Sequence, residues 1–211
     1  TERQMSLPSN EELAATSDSG PVLNIVGQRV ALGPVYRELT ATYNRWINDF
    51  AMNAQLGQLP APITVEQSIR GYDSRLDRDA EVRFVIYERR GEDGYRPIGI
   101  ALLGDIDYRH RTGEYVIFIG EPDARSKGYG TETTRLMLNY AFSTLGLLNV
   151  LLTVFAFNER ARRAYERAGF KEFGRRRQCY FMNGQFWDTI FMDCVAADVL
   201  SSSSPEEISP R

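Results

Sequence analysis

The spacing of apolar positions changes its period several times along the chain, and each change predicts a different kind of element. Apolar and polar residues alternate over Val82 to Glu88, Ile98 to Tyr108 and Glu114 to Ile119, as they do in strands with one buried face. Short turns separate the three runs, which predicts an antiparallel meander. A further short strand is predicted near the start of the chain, at Arg29 to Leu32.

Two helices are predicted between the first strand and the meander. Arg37 to Met52 carries apolar residues at the spacing of one helical face. Thr64 followed by Gln67 resembles a capping box, in which each side chain accepts a hydrogen bond from the other residue's amide. A second helix is therefore predicted from this point to about Leu76.

The second half of the chain is predicted to alternate helices with strands. Helices are predicted at Gly128 to Leu145 and at Glu159 to Ala168. Strands are predicted at Val150 to Phe157, Phe170 to Met182 and Gln185 to Cys194. Gly169 follows the second helix, where glycine commonly ends a helix. The last two strands flank Asn183-Gly184, which is a strong short signal for a β-hairpin.

This element order predicts an α/β fold of the α+β type, with a mixed, mostly antiparallel seven-stranded sheet flanked by helices. It differs from a doubly wound fold, in which helices alternate with parallel strands throughout. Residues 1–22 are polar and acidic and are predicted to be a flexible N-terminal segment. Residues 23–197 are predicted to form one domain, followed by a disordered C-terminal tail at 198–211.

Composition narrows the classes of function. The 211 residues suit one domain with a full-sized core, and the net charge of −3 argues against general nucleic-acid binding, which needs a basic surface. No apolar run approaches the roughly 18–20 residues that cross a membrane. The two cysteines, Cys179 and Cys194, lack metal-ligand spacing. We therefore expect a cytoplasmic protein with no metal, nucleic-acid or membrane partner.

The most informative segment joins the third meander strand to the long helix. It consists of Arg125, Ser126, Lys127, Gly128, Tyr129, Gly130 and Thr131. The first amides of a helix have no intrahelical acceptor, and together with the helix dipole they favour a bound anion. The two glycines let a phosphate approach the backbone, and the two basic side chains add positive charge. The pattern indicates a phosphate site, although it also suits a plain turn, and it lacks the complete P-loop and dinucleotide fingerprints.

The arrangement Arg125-x-x-Gly128-x-Gly130 between a strand and a long helix resembles the acyl-CoA loop of the GNAT superfamily of N-acetyltransferases. Four further segments are similar to that family in the same order: Arg45 to Asp49, Gly113 to Ile119, Asn158 to Phe170 and Phe181 to Asp188. The resemblance covers about residues 29–195. It is greatest to the branch that contains ribosomal-protein N-terminal acetyltransferases and spermidine N-acetyltransferases.

The resemblance implies a GNAT acyltransferase fold with splayed central strands and acetyl-CoA as the cosubstrate, its pantetheine arm lying between those strands. It implies cofactor contacts from Phe118 and Ile119 in the first of these strands and from Arg125 to Thr131 in the loop. It also implies contacts from Asn158, just after the second strand, and from Arg163 on the next helix. Asn158 also suits a plain helix N-cap, and Arg163 with its neighbours also suits a solvated helix face.

The same resemblance implies two catalytic side chains. Tyr165 lies seven residues after Asn158, on the same helical face, and is implied to protonate the departing CoA thiolate. A tyrosine there also suits simple core packing. Glu114, at the mouth of the central strand, is the implied general base, and Asp105 and Asp107 on the neighbouring strand are alternatives. No covalent enzyme intermediate is implied.

In this family the first helices and the last hairpin form the acceptor pocket, which here implies substrate contacts from Trp46, Asp49, Phe50 and Tyr72. The acceptor is a small-molecule amine or a protein N-terminus, and the residues do not distinguish a polyamine, an aminoglycoside, an amino sugar and a protein N-terminus. A homodimer is expected by resemblance. Two alternatives remain open: a catalytically inactive CoA-binding or interaction module, and a domain that binds another phosphate ligand.

Overall fold

The computed structural model describes residues 20–57, 61–76, 79–91 and 94–200. Its strands form one sheet in the order β1-β2-β3-β4-β5-β6-β8-β7. They are β1 (Ile25–Val26), β2 (Val30–Pro34), β3 (Val82–Arg90), β4 (Gly94–Asp107), β5 (Thr112–Ile119), β6 (Asn149–Phe155), β7 (Lys171–Met182) and β8 (Gln185–Val195). Neighbours pair antiparallel except β5 and β6. The predicted fold class is confirmed, with eight strands instead of seven because β1 is too short to show a period.

Helices cover both faces of the sheet. They are α1 (Thr40–Ile47), α2 (Phe50–Gln55), α3 (Val65–Asp73), α4 (Tyr129–Asn139), α5 (Glu159–Ala168) and α6 (Ala196–Leu200). The capping box of Thr64 and Gln67 is present at the start of α3. The predicted long helix consists of α4 and a π-helical segment, Tyr140–Thr144. Within the described ranges, no helix is both long enough and apolar enough to span a membrane.

The single helix predicted over Arg37 to Met52 is broken because two polar side chains compete for backbone groups. Asn48 donates through Nδ2 to the carbonyl of Ile63 at 2.8 Å and accepts from the Ile63 amide at 3.0 Å. Asp49 accepts from the Met52 amide at 3.2 Å and thereby starts α2 as its N-cap. The chain therefore turns between α1 and α2.

The predicted terminal segments lie mostly outside the described residues, which begin at 20 and end at 200. Residues 198–200, which the sequence placed in the tail, belong to α6. Asp198 accepts a hydrogen bond from Lys171 Nζ at 2.8 Å, and Val199 packs against the core. The boundary predicted at 197 is corrected to at least 200, because these two contacts hold the last helical turn against the sheet.

Strand alternation divides the apolar side chains between two cores, one on each face of the sheet. The larger core lies under α4 and α5 and includes Leu32, Ile86, Ile98, Leu103, Met137, Leu138, Leu152, Ile190 and Met192. The second core lies under α1 and α2 and consists of Trp46, Met52, Val85, Tyr87 and Ile100. Within β5, Tyr115, Ile117 and Ile119 face the larger core, whereas Phe118 faces the second. The alternation of side chains along the strand thus decides which of the two cores each residue faces.

The two parallel strands pair over only three positions. Residues 112–114 of β5 lie opposite residues 149–151 of β6, and beyond Glu114 and Leu151 the strands separate. Each strand stays paired on its outer side, β5 with β4 and β6 with β8. The prediction of splayed central strands is confirmed, and the gap lies between two well-supported halves of the sheet.

The last hairpin closes at the predicted turn and contacts the helices on the second core. Asn183 and Gly184 have φ values of 53° and 77°, and two positive values in succession are what a two-residue type I′ turn requires. The Tyr180 hydroxyl of β7 donates to the carbonyl of Ala54 in α2 at 3.0 Å. The hairpin therefore helps to hold α2 beside the gap.

Candidate functional site

The gap between β5 and β6 opens into a cleft of about 470 Å³ whose walls come from both faces of the sheet. On the side of α4 and α5 the walls include Gly128, Gly130, Thr131, Thr134, Ala161 and Tyr165. On the side of α2 they include Met52, Gln55, Leu56, Glu114, Phe118 and Phe155. A molecule in the cleft can therefore meet different side chains at its two ends.

The loop before α4 has the geometry expected of an anion site. Ser126 and Gly128 have φ values of 64° and 83°, and Gly128 caps α4 without a side-chain hydrogen bond to the first amides. Those amides have no acceptor from the cap, and Gly130 and Thr131 in the first turn line the cleft. The helix dipole adds partial positive charge at this point.

Three arginines line the cleft, and one of them reaches the loop before α4. Arg125, Arg160 and Arg167 line its wall, and Arg160 donates through Nη1 to Ser126 Oγ at 3.2 Å. A pyrophosphate placed against the first amides of α4 would be within an arginine-lined pocket. This arrangement fits the diphosphate of a coenzyme such as CoA, because charge-assisted hydrogen bonds to phosphate are among the stronger ones.

Two residues of the predicted loop serve to clamp it and do not line the cleft. Tyr129 points to the sheet, where its hydroxyl donates to the buried Glu88 at 2.9 Å. The Lys127 carbonyl accepts from Arg29 Nη1 at 2.9 Å, and Arg29 also binds Glu132 through Nε at 3.0 Å. These bonds fix the loop and the first turn of α4 to β2 and β3.

The residues predicted on and before α5 divide into two groups. Asn158 lines the cleft and also caps α5, because its Oδ1 accepts from the Ala161 amide at 3.1 Å. Arg163 points to solvent, with a side chain that is 60% exposed and lies 3.8 Å from Glu159. Arg160, one helical turn earlier, is the arginine of this helix that reaches the loop.

Tyr165 projects from α5 into the cleft, where the sequence placed it. Its half-buried ring meets Phe170 edge-on with centroids 6.0 Å apart. Within the described ranges, no group of the chain hydrogen-bonds to its hydroxyl, so the hydroxyl can serve a ligand. Burial raises the pKa of Tyr165 to about 12, and the phenol therefore carries its proton at neutral pH.

Glu114 reaches the cleft from the opposite face of the sheet. It shares the parity of Phe118 in β5, and Phe118 packs in the core under α1 and α2. Partial burial, followed by the nearby charge of Asp105, raises the pKa of Glu114 above its ordinary value. No cation of the described chain lies within ion-pair distance of either carboxylate. A cation bound beside Glu114 would offset this repulsion.

The four predicted acceptor residues do not line the cleft. Trp46 is buried in the second core, Phe50 is 45% exposed, and the Tyr72 hydroxyl donates to the Val35 carbonyl at 3.4 Å. Asp49 is held by Arg125 at 3.1 Å. This side of the cleft is lined instead by α2 and the residue that follows it, through Met52, Gln55 and Leu56.

Sequence reasoning also missed several cleft residues that a helical wheel could have found. Ala161 and Ala164 share the face of α5 that carries Tyr165, and both line the cleft. Small residues at this spacing leave room for a ligand against the helix. Val116 and Thr153, from the separated parts of β5 and β6, had no such signal because the point of separation is a tertiary feature.

Comparison with known protein families gives one match that spans most of the chain. Residues 29–171 match the family model described as an acetyltransferase (GNAT) domain. The chain is 31% identical over 163 residues to spermidine N(1)-acetyltransferase of Escherichia coli K12, covering 77% of this chain and 84% of that protein. It is 27% identical over 160 residues to the human alpha/beta-tubulin-N-acetyltransferase 9, covering 70% and 75%.

Among solved structures, the chain is similar to the spermidine N-acetyltransferase of Vibrio cholerae in complex with CoA and spermine. The TM-score is 0.76 at 25% sequence identity, with 82% of this chain and 99% of that chain covered. The fold and family predicted from the sequence are thereby confirmed.

Two arginines of α5, Arg160 and Arg163, give a matched test of the cleft's positive end. We expect Arg160→Ala to weaken CoA binding by about tenfold, since a hydrogen bond to a charged group contributes roughly 1.5–3 kcal/mol. Arg163→Ala should leave the dissociation constant of CoA unchanged, because that side chain points to solvent. Isothermal titration with CoA measures both, and a larger loss in the Arg163 variant would contradict this assignment.

Proposed function

The chain belongs to the GNAT family and is an N-acetyltransferase that uses acetyl-CoA, and on that premise we propose that it acetylates a primary amine of a linear polyamine such as spermidine. The observation that carries the choice of acceptor is the Glu114 carboxylate, which lines the cleft on the side of α2, lies near the charge of the exposed Asp105 outside the cleft lining, and has no cation partner among the described residues. The similarity to spermidine acetyltransferases supports the same choice.

A polyamine fits these charges better than an uncharged acceptor does. Partial burial, and after it the charge of Asp105, raise the pKa of Glu114, so a cation close to this carboxylate would be favourable. A substrate with several ammonium groups can place one nitrogen at the thioester while another neutralises the second carboxylate. Arg160 lies at the cofactor end of the cleft, against Ser126, so repulsion there would direct a cationic substrate toward Glu114.

The proposed mechanism is direct attack of the amine on the thioester carbonyl. Glu114 accepts the proton of the amine, directly or through one water, and its raised pKa brings it closer to the working pH of a general base. Tyr165 donates its proton to the sulfur as the thiolate leaves. The backbone amides of β5 beyond Glu114, which β6 does not pair, can stabilise the developing oxyanion.

The position of the sheet between the two side chains supports this division of roles. Glu114 faces the side of α2, and Tyr165 comes from α5 on the other side. The attacking amine and the departing sulfur are different substituents of the tetrahedral centre, so proton removal and proton donation need two separate groups. Glu114 and Tyr165, which reach the cleft from opposite faces, can supply them, and their presence weighs against a catalytically inactive CoA-binding module.

Two further expectations remain proposals. The cytoplasmic location rests on composition and on the absence, in the described ranges, of a helix able to span a membrane. We also propose self-association, because a structure of the Vibrio cholerae relative is described as dodecameric. Sedimentation of the purified chain would measure its oligomeric state directly.

A panel of acceptors tests the proposed substrate class. With acetyl-CoA held saturating, CoA release is followed for spermidine, spermine, an aminoglycoside, glucosamine and a peptide with a free N-terminus. We expect the polyamines to have the highest kcat/KM, because their linear, flexible chain can place a second ammonium near Asp105 while one amine reaches the thioester. Faster turnover of the peptide would replace the polyamine by a protein acceptor, and no turnover of any amine would favour the inactive module.

Substitution of Tyr165 tests its role as the acid. We expect Tyr165→Phe to lower kcat by about 10²-fold, within the range for general acid catalysis, while the dissociation constant of CoA stays close to the wild-type value. Tyr140→Phe is the matched control, because Tyr140 packs on Phe84 in the core away from the cleft. Unchanged kcat in Tyr165→Phe would remove this residue from the chemistry.

The pH dependence of turnover tests Glu114. A base works only when deprotonated, so kcat/KM should fall as the pH drops through the raised pKa of Glu114. Glu114→Gln should lose this ionisation, retain that of the substrate amine, and lower kcat/KM by about 10²-fold at neutral pH. Tyr165, with a pKa of about 12, should not limit the profile below strongly alkaline pH. An acid limb of the same shape in both proteins would exclude Glu114 as the base.

A further inference from the structure

Arg125 and Asp49 belong to two separate sequence motifs, yet the fold joins them in an ion pair beside the cleft. Arg125 Nη2 lies 3.1 Å from Asp49 Oδ2. The same guanidinium donates through Nε to the carbonyl of Ile119 at 3.0 Å and through Nη2 to that of Gly120 at 2.9 Å. Arg125 therefore connects the end of β5 and the phosphate loop to the start of α2.

Asp49 has two partners at once, one on each carboxylate oxygen. Its Oδ1 caps α2 by accepting from the Met52 amide, and its Oδ2 binds Arg125. Partial burial opposes ionisation, but the Arg125 guanidinium and the amides of α2 hold the pKa of Asp49 below its ordinary value. The carboxylate is therefore charged at neutral pH, and its position depends on both the loop and the helix.

Helix α2 is the wall of the cleft on the amine side, and it is short. Its residues Met52 and Gln55 line the cleft, and it has six residues in total. A helix of that length is marginal on its own, so tertiary contacts set its position. One such contact is the hydrogen bond from the Tyr180 hydroxyl to the Ala54 carbonyl, near the C-terminal end of α2. Another is made through Asp49, the N-cap at its start.

The preceding helix is held by other bonds that do not involve Arg125. Trp46 Nε1 donates to Glu121 Oε1 at 2.9 Å, and Arg45 forms an ion pair with the same carboxylate. Gly120 packs flat against the Trp46 ring, and a Cβ at that position would overlap the ring. Helix α1 is thus fixed to the end of β5 by bonds that do not involve Arg125. The Arg125–Asp49 ion pair joins the loop to the start of α2, and Arg160 Nη2 donates to Gln55 Oε1 at 3.5 Å at the other end of that helix.

We propose that Arg125 and Asp49 are a positioning pair that couples occupation of the phosphate loop by CoA to the order of α2. A ligand that fixes the loop fixes Arg125, and Arg125 in turn fixes the carboxylate that starts α2. Coupling of this kind is reciprocal, so an amine that binds against α2 also strengthens CoA binding. This last consequence rests on the proposed function, whereas the coupling between CoA and α2 does not.

Hydrogen exchange with CoA as the probe tests the coupling without any amine. In the wild type, saturating CoA should slow amide exchange in Phe50–Gln55 by about fivefold or more, the lower end of typical coupling between sites. Asp49→Asn keeps the N-cap, because asparagine caps as well as aspartate, but removes the charge that binds Arg125. In that variant the slowing in α2 should fall below about twofold, while Gly130 and Thr131 in the loop stay protected.

Two more variants make the result specific. Asp49→Ser also keeps the cap and loses the ion pair, so it should match Asp49→Asn if the latter folds poorly. Asp198→Asn removes an exposed ion pair to Lys171, away from the cleft, and should respond to CoA as the wild type does. Steady-state kinetics on the best acceptor give a second readout, in which Asp49→Asn should raise the KM of the amine about fivefold with little change in kcat.

The inference and the proposed function can fail separately. The coupling would be overturned if, in the wild type, CoA slowed amide exchange in the loop but not in α2. It would also be overturned if CoA slowed amide exchange in α2 as much in both Asp49 variants as in the wild type. A fall in kcat at unchanged amine KM would also overturn it. If the polyamines alone were not acetylated, the proposed acceptor would change, and the hydrogen-exchange result would still support the coupling.

Discussion

The separation of β5 from β6 after three pairs is the constraint on which the rest of the structure depends. Backbone amides and carbonyls inside a sheet normally pair with a neighbouring strand, and leaving them unpaired is costly. The gap is tolerated because β4 and β8 hold the outer edges of both strands. Its inner edges then offer a strand-like surface to an extended, amide-containing chain, which describes the pantetheine arm of CoA.

The gap also determines how charge is distributed along the cleft. At one end the N-terminus of α4 and Arg160, which binds Ser126 in the preceding loop, provide positive charge. Toward the opposite face of the sheet, Glu114 lies near Asp105 with no cation of the described residues beside it. An anionic cofactor is therefore directed to the end at α4, away from Glu114. The polarity arises because strands and helices from distant parts of the chain meet at this one opening.

Much of this arrangement was predictable from local sequence signals. The Arg125-x-x-Gly128-x-Gly130 pattern stands directly before α4, and Asn158 and Tyr165 lie seven residues apart at α5, so each of these local placements was predictable from spacing. The packing of α4 and α5 brings both sets to one cleft. The Asn183-Gly184 turn and the Thr64–Gln67 cap were equally local. The break at Asn48 and Asp49 was missed because their side chains bind backbone groups that only the folded chain brings near.

The sequence by itself determined the element order, the family and the cofactor loop, because these depend on residue types at short, fixed spacing. Only the tertiary structure decided which arginine of α5 reaches the loop, that Trp46 is a core residue, and that Asp49 pairs with Arg125 across 76 positions of the chain. Such contacts are set by how strands and helices pack, and packing depends on the whole chain at once. For that reason the side of the cleft formed by α2 and β5, with the last hairpin bonded to α2, was the part that local patterns described least well.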